Sequence, residues 1–170
     1  MARSIDYRSP LAFPADRVFA AMTDEEYLRA RLRELGGPGS DLLEYEASPE
    51  NARYRLRQGL SERDLPPIVG KVVGGDLHIE RTETLRRGGP GSYDGDVDVR
   101  IPGVPASAGG TMRLADDGAG NGAGSLFEVH ADVAVNVPLF GGKIEEIVAE
   151  QVRRLLEVET AFTIRWLGSH

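Results

Sequence analysis

The chain has 170 residues, which is long enough for one domain with a sizeable hydrophobic core. Apolar residues make up 41% and charged residues 28%, values typical of globular proteins, and the formal net charge is -7. An acidic chain without a cluster of Lys and Arg is not expected to bind nucleic acid, and the absence of cysteine excludes disulfides, thiolate metal sites and a cysteine nucleophile.

The first forty residues predict one strand followed by two short helices. Residues 3–8 alternate apolar and polar side chains, which suits a strand. Pro14 fits the start of a helix, where its missing N–H would have no partner in any case. Thr23 is expected to cap a second helix, with Glu26 completing a capping box, and the Gly-Gly-Pro sequence at residues 36–38 ends that helix.

From residue 41 to residue 138 the apolar period changes to two, which predicts strands. Short turn sequences separate them, so consecutive strands should pair in an antiparallel meander. A connector at residues 65–75 contains Pro-Pro and room for one helical turn. The glycine-rich segment 118–124 is interpreted as a hairpin loop and not a phosphate loop, because a strand follows it. The predicted strands cover residues 43–45, 54–58, 76–87, 93–101, 107–115 and 125–137.

The last element is predicted to be a long amphipathic helix, since apolar residues recur at helical spacing from residue 144 to residue 166. A sheet of six or seven strands must bury its apolar face, and this helix is the partner available. One helix cannot fill the concave side of a strongly curved sheet. The small residues Gly95, Gly110 and Ala131 on the inward faces indicate an internal pocket, although they could instead let the sheet bend.

Four segments carry a resemblance to known proteins: residues 14–19 (PADRVF), 23–27 (TDEEY), 75–84 (GDLHIERTET) and 137–145 (VPLFGGKIE). Together with the element order, they resemble the helix-grip superfamily of START domains, pollen allergens related to Bet v 1 and polyketide cyclases. More narrowly, they resemble an actinobacterial family of unknown function, domain of unknown function 2505. The resemblance implies one α+β domain over residues 1–168. In this fold a curved antiparallel sheet wraps around a C-terminal helix, and two short helices follow the first strand. The motifs carry no established chemistry.

The strand after Asp76 holds the most informative polar residues. Ile79 and Leu85 are expected to face the helix, and alternation then places Arg81 and Glu83 on the same side. Charges facing a cavity must pair with each other or with a ligand. Arg81 could therefore anchor a ligand carboxylate or phosphate, with Glu83 holding its geometry. The alternatives are a structural ion pair at the cavity mouth, or a strand register that places both side chains in water.

Other polar and charged residues are candidates either for ligand contacts or for solvent-exposed positions. Tyr7 and Gln151 resemble Tyr54 and Gln58 in being lone polar groups on apolar faces, where each could bond a ligand or a neighbouring group. The arginine-rich runs at residues 29–33 and 53–57 are interpreted as solvated faces. The candidate ligand-binding residues are Tyr54, Leu56, Gln58, Ile79, Arg81, Glu83, Tyr93, Val97, Val99, Met112, Val129, Val133, Ile144, Val148, Gln151 and Leu155.

No catalytic residue, metal site or cofactor is predicted. His78 and His130 are out of phase with the apolar residues beside them and should face solvent, and no metal-binding spacing occurs. Residues 1–6 lack a signal-peptide core and no apolar run could span a membrane, so a cytoplasmic location without a membrane segment is expected.

The predicted function is non-catalytic binding or transport of a hydrophobic small molecule, lipid-like or polyketide-like, with entry framed by the second helix, the connector and the last helix. Two alternatives stay open. One is an enzyme of cyclase, hydratase or hydrolase type that uses Arg81, Glu83 or a tyrosine as acid or base. The other is a protein-interaction module, for which an apolar connector surface would be the sign. That surface would comprise Leu65, Ile68, Val72 and Val73. The oligomeric state is left open.

Overall fold

A computed structural model describes residues 2–118 and 123–170, so most of the glycine-rich segment interpreted as a hairpin loop lies outside the described residues. A short 3-10 turn at Glu62–Asp64 precedes the third helix. The elements in chain order are β1 (Ala2–Leu11), α1 (Ala15–Met22), α2 (Glu25–Leu35), β2 (Asp41–Ala47), β3 (Asn51–Leu60), α3 (Pro67–Val73), β4 (Leu77–Gly89), β5 (Ser92–Arg100), β6 (Ala106–Asp116), β7 (Ser125–Val135) and α4 (Gly141–Ser169).

The strands form one sheet in the order β1-β7-β6-β5-β4-β3-β2, and every neighbouring pair is antiparallel. β2 to β7 follow one another as a meander, and β1 joins the far edge beside β7. Helix α4 packs mainly along β1 and β7 and touches α1 and α2. The predicted helix-grip α+β fold is confirmed. No helix in the described residues is both long enough and apolar enough to cross a bilayer.

The predicted inward faces are confirmed by the alternation of burial along β5, β6 and β7. Gly95 and Gly110 on those faces have a role that was not predicted for them. A Cβ on Gly95 would lie 2.2 Å from the carbonyl oxygen of Thr84, and one on Gly110 would lie 1.9 Å from that of His130. These glycines therefore permit a close approach of neighbouring strands, and they do not create the internal space.

The start of α2 differs from the prediction by one residue. Asp24, not Thr23, is the N-cap, and its carboxylate accepts a hydrogen bond of 3.1 Å from the backbone N–H of Tyr27. The Thr23 hydroxyl instead donates to the carbonyl of Phe19 at 2.7 Å and closes the end of α1. An aspartate in this position also favours the positive end of the helix dipole.

The buried apolar residues form two clusters with different composition. The aromatic cluster lies where α1, α2 and the C-terminal half of α4 meet the sheet. It contains nearly all the buried rings, including Tyr27, Phe162 and the half-buried Trp166. The aliphatic cluster lies where α3 and the N-terminal half of α4 meet the sheet, around Val133 and Ile144. In the described part of the chain it contains no aromatic residue.

Candidate functional site

An apolar cavity of about 120 Å³ lies between α4 and the concave face of the sheet. Strands β1 and β3 to β7 contribute one side, and α4 contributes the other through Val148, Val152, Leu155 and Leu156. The cavity reaches the surface beside the start of β6, because the exposed residue Ser107 is part of its wall.

Most of the predicted ligand-binding residues meet in this wall. They come from five different strands and from α4, and the alternation of the strands is what aims them at one space. The predicted residues that line the cavity are Gln58, Ile79, Arg81, Val97, Val99, Met112, Val129, Val133, Val148 and Leu155.

Four predicted residues are buried but lie elsewhere. Tyr54 and Leu56 are fully buried in the aromatic cluster, because β3 continues past the end of the cavity. The ring of Tyr93 stacks on Phe19 with centroids 4.1 Å apart, and this contact directs the side chain towards α1. Ile144 packs in the aliphatic cluster in the first turn of α4.

The prediction for Gln151 was wrong, because this side chain is exposed to solvent. The lining face of α4 runs through Val148, Val152, Leu155 and Leu156. Gln151 lies at the edge of that stripe, on the side turned away from the sheet, where water can satisfy its amide.

A cluster of four charged side chains lies at the inner end of the cavity. Nη1 of Arg81 donates to both carboxylate oxygens of Glu159 at 2.9 and 3.0 Å, and Nη2 forms an ion pair with Glu83. Glu83 also accepts a hydrogen bond from the Tyr54 hydroxyl. Arg81 is thus held by two carboxylates from β4 and α4.

The fourth charge comes from α2. Arg31 was predicted to lie on a solvated face but is 3% exposed. Its Nε lies 3.7 Å from Oε2 of Glu159, and its guanidinium lies over the ring of Tyr27 at 5.7 Å. Helix α2 therefore contributes Arg31 to the charged cluster, and none of its residues lines the apolar cavity. This differs from the prediction that the second helix frames the entrance.

The charges fix the protonation states within the cluster. Burial by itself would raise the pKa of Glu83, but the charges of Arg81 and Arg31 and the hydrogen bond from Tyr54 outweigh it, so the pKa of Glu83 is lowered. Burial, together with the charge of Glu83, raises the pKa of the Tyr54 phenol well above its ordinary value. At neutral pH, Glu83 is ionised and Tyr54 is protonated.

A second, small cavity of about 20 Å³ adjoins this cluster. Its wall combines the four charged side chains, Thr160 and Thr163 with apolar side chains that contribute most of its surface, namely Leu11, Met22, Met112, Phe127 and Leu156. The two cavities share the side chains of Arg81, Met112 and Leu156, which therefore form the partition between them.

Arg31, Glu159, Thr160 and Thr163 were not predicted as site residues. Helical spacing carried a signal for two of them: Arg31 follows Tyr27 by four positions, and Glu159 lies three positions after Leu156. For Arg31 the charge made solvent exposure the default interpretation, whereas Glu159 lies on the predicted apolar stripe of the last helix. No feature of the sequence indicates that α2 and α4 bring these two charges together.

The other polar groups take structural or surface positions. His78 and His130 are exposed as predicted, and His130 Nδ1 lies 2.6 Å from Oδ1 of Asp6. The Tyr7 hydroxyl donates to Oγ1 of Thr160 at 2.9 Å. Within residues 2–118 and 123–170, no group of three or more His, Asp or Glu side chains is arranged to hold a metal ion.

Known proteins resemble the chain over its whole length. The uncharacterized protein Rv0481c of Mycobacterium tuberculosis is 24% identical over 175 residues, which cover 100% of this chain and 99% of the relative. A START superfamily protein from Mycobacterium smegmatis superposes with a TM-score of 0.53 at 12% identity, covering 96% of this chain and 98% of its own.

Two further solved structures share the fold. The protein TTHA0849 from Thermus thermophilus superposes with a TM-score of 0.63 at 15% identity and covers 99% of this chain and 100% of its own. The Zhui aromatase/cyclase from Streptomyces sp. R1128 superposes with a TM-score of 0.53 at 13% identity and covers 98% and 92%. At such low identities, the superpositions establish that the chain has the START-like fold, and they carry no conclusion about its function. A model of the protein family of unknown function DUF2505 matches residues 6–167, and the chain belongs to this family.

Proposed function

We propose that this protein binds a small apolar molecule in the cavity between α4 and the sheet and does not catalyse a reaction on it. The observation that supports the proposal is the unfilled apolar volume of about 120 Å³ between α4 and the sheet. Protein interiors are normally close-packed, and an apolar void excludes water, so it favours an apolar guest.

The volume limits the size of the guest. An engineered apolar cavity of about 150 Å³ in another protein binds benzene, and pockets for drug-sized ligands start at about 300 Å³. A guest of one ring or a short branched chain therefore fits the cavity as it stands. A longer lipid or a polyketide requires α4 or the loop before it to move away from the sheet.

An enzyme on the same scaffold is the second candidate, favoured by the buried Tyr54–Glu83 hydrogen bond and by the aromatase/cyclase with the same fold. A general acid or base works best with a pKa near the operating pH. The pKa of Glu83 is lowered and that of Tyr54 is raised well above its ordinary value, so both move away from neutrality. The cluster therefore supports binding better than proton transfer.

The connector gives little support to an interaction module. Leu65 is buried, Ile68 and Val73 are half-buried against the aliphatic cluster, and Val72 is the exposed member of the four. The predicted apolar surface is thus used inside the molecule and is not free for a partner.

The proposal is tested by titrating the isotope-labelled protein with ethylbenzene and recording amide NMR shifts. We expect saturable shifts around Val97, Val129 and Val148. The variant Ala108→Phe places a ring in the cavity and should abolish them, since Ala108 is part of the wall.

The matched control is Ala134→Phe, which makes the same change on the outer face of β7 and should leave ethylbenzene binding intact. A folded wild-type protein without saturable shifts would refute the proposal. Equal binding by the two variants would place the ligand outside this cavity.

A further inference from the structure

The small cavity beside the charged cluster contains hydrogen-bond donors that have no acceptor in the described part of the chain. Nε and Nη2 of Arg31 are buried, and neither has an acceptor among residues 2–118 and 123–170. The 3.7 Å from Nε to Oε2 of Glu159 is an ion-pair distance and too long for a hydrogen bond. Buried donors are rarely left unpaired, because water would otherwise satisfy them. An oxygen atom from outside the chain is therefore expected beside Arg31.

The neighbouring hydroxyl groups use their own hydrogens elsewhere and add no further free donors to this cavity. The Thr160 hydroxyl donates to the carbonyl of Leu156 at 2.7 Å, and the Thr163 hydroxyl donates to that of Glu159 at 2.9 Å. The hydroxyl of Tyr27 is 2.7 Å from that of Thr163. Among the described residues that line the small cavity, Arg31 is thus the side chain whose buried donors lack an acceptor.

The space beside Arg31 holds either water or the end of a ligand. A volume of about 20 Å³ has room for one or two water molecules, since each needs about 10–15 Å³. Arg81, Met112 and Leu156 separate it from the apolar cavity. Met112 is the flexible member of this partition, so a ligand in the apolar cavity can reach Arg31 after a rotation of one unbranched side chain.

The charges in the cluster decide which ligand ends fit. Arg31 and Arg81 carry positive charges, Glu83 and Glu159 carry negative charges, and the four cancel. A ligand carboxylate or phosphate would add an uncompensated negative charge next to two carboxylates in a dry site, which is strongly unfavourable. A carbonyl or hydroxyl oxygen can accept a hydrogen bond from Arg31 without changing this balance.

We propose that the protein selects an uncharged apolar ligand that carries one carbonyl or hydroxyl oxygen, and that Arg31 donates the hydrogen bond which this oxygen accepts. The inference rests on the proposed function and deepens it by naming the class of ligand. It replaces the role in which Arg81 anchors an anion, because both carboxylates already hold Arg81.

Three probes of similar size test the inference at pH 7: ethylbenzene, acetophenone and benzoate, titrated by amide NMR. In the wild-type protein we expect acetophenone to bind more tightly than benzoate, on the order of tenfold or more, because benzoate brings an unpaired charge. Benzoate binding as tightly as acetophenone would overturn the charge selection.

The role of Arg31 is tested with the double variant Arg31→Met/Glu159→Gln, which removes one charge of each sign and keeps the cluster neutral. We expect acetophenone to bind about 2- to 10-fold more weakly, as for the loss of one hydrogen bond. Ethylbenzene should bind at least as tightly as to the wild type, which also reports that the variant is folded. Unchanged acetophenone affinity would remove Arg31 as the donor.

The single variant Glu159→Gln supplies an independent test, because it gives the cluster a net positive charge. It should strengthen benzoate binding, and a variant that still rejects benzoate would contradict the charge argument. If ethylbenzene binds but the oxygen and the charge make no difference, the inference alone fails. If none of the three probes binds the wild-type protein, the proposed function fails and the inference fails with it.

Discussion

The two ends of the molecule differ in how completely side chains fill the space between the helices and the sheet. At one end, the rings of Tyr27, Phe162 and Trp166 pack with centroids 5.5 to 6.2 Å apart and fill the space between the helices and the sheet. Towards the other end, the aliphatic cluster supplies Val, Ile, Leu and Ala. Here about 120 Å³ stays open, in a space whose wall is shared with Met112, Val129, Ala131 and Leu156 of the aromatic cluster. The position of the large side chains, and not their number in the sequence, decides where a curved sheet encloses a cavity.

The charged cluster lies at the boundary between these two ends. Arg31 reaches it from the aromatic end, whereas Arg81 is part of the wall of the apolar cavity. The rigid aromatic packing holds the polar groups, and the loosely filled aliphatic end provides space for a guest. A ligand that spans both regions would have an apolar body and one polar end.

The largest expected effect comes from removing one carboxylate from the charged cluster at this boundary. Glu159→Ala leaves Arg81 and Arg31 with one carboxylate between them, so we expect the free energy of unfolding to fall by about 3–5 kcal/mol. Urea denaturation measures this loss. The control is Glu157→Ala at an exposed position on the same helix, which should change stability by less than about 0.5 kcal/mol. Equal effects for the two variants would mean that the buried charges are solvated.

A smaller effect distinguishes filled packing from the cavity wall. Ala15 and Ala131 both belong to the aromatic cluster, but Ala15 is completely buried, whereas Ala131 is part of the cavity wall. Ala15→Val should lower the free energy of unfolding by about 1–3 kcal/mol through overpacking. Ala131→Val fills space and should raise it by about 0.5 kcal/mol. Thermal unfolding gives both signs, and a loss of stability in Ala131→Val would contradict an unfilled cavity.

The smallest effect concerns an exposed ion pair, which provides a surface baseline for the buried charges. The hydrogen bond that His130 donates to Asp6, together with the negative charge of that carboxylate, raises the pKa of His130. A raised folded-state pKa stabilises the protein fully below the unfolded value of about 6.5, and this contribution is lost as the pH rises through the folded value. His130→Asn should abolish a small decrease in melting temperature between pH 6 and pH 8. If the variant keeps that decrease, other groups cause it.

The sequence predicted the inward faces of the strands well because alternation is a local property. On β4 it placed Arg81 and Glu83 on the same side as Ile79 and Leu85, and all four side chains do face inward. The same logic was less precise on α4. The stripe of α4 residues that lines the cavity is narrow. A side chain one position away in the chain, such as Gln151 beside Val152, therefore faces solvent and not the cavity.

The charged cluster of the site could not be predicted from local sequence patterns. The partners of Arg81 include Glu159, which is 78 positions away in the chain, and the neighbour of Glu159 is Arg31 on a helix from the other end of the sequence. Arg31 has the sequence environment of a solvated helix face, and nothing close to Arg81 or Glu159 in the chain identifies their partners. Tertiary packing alone shows that they neutralise one another.

By itself, the sequence determined the order of the elements, the antiparallel sheet, the long last helix and the direction of each strand residue, since these depend on periodicity and turn residues close together in the chain. The tertiary structure decided where the cavity lies, that the glycines Gly95 and Gly110 serve close strand approach, and that four charges meet at one buried point. These properties depend on how volumes and charges from distant segments add up in space, which no local pattern records.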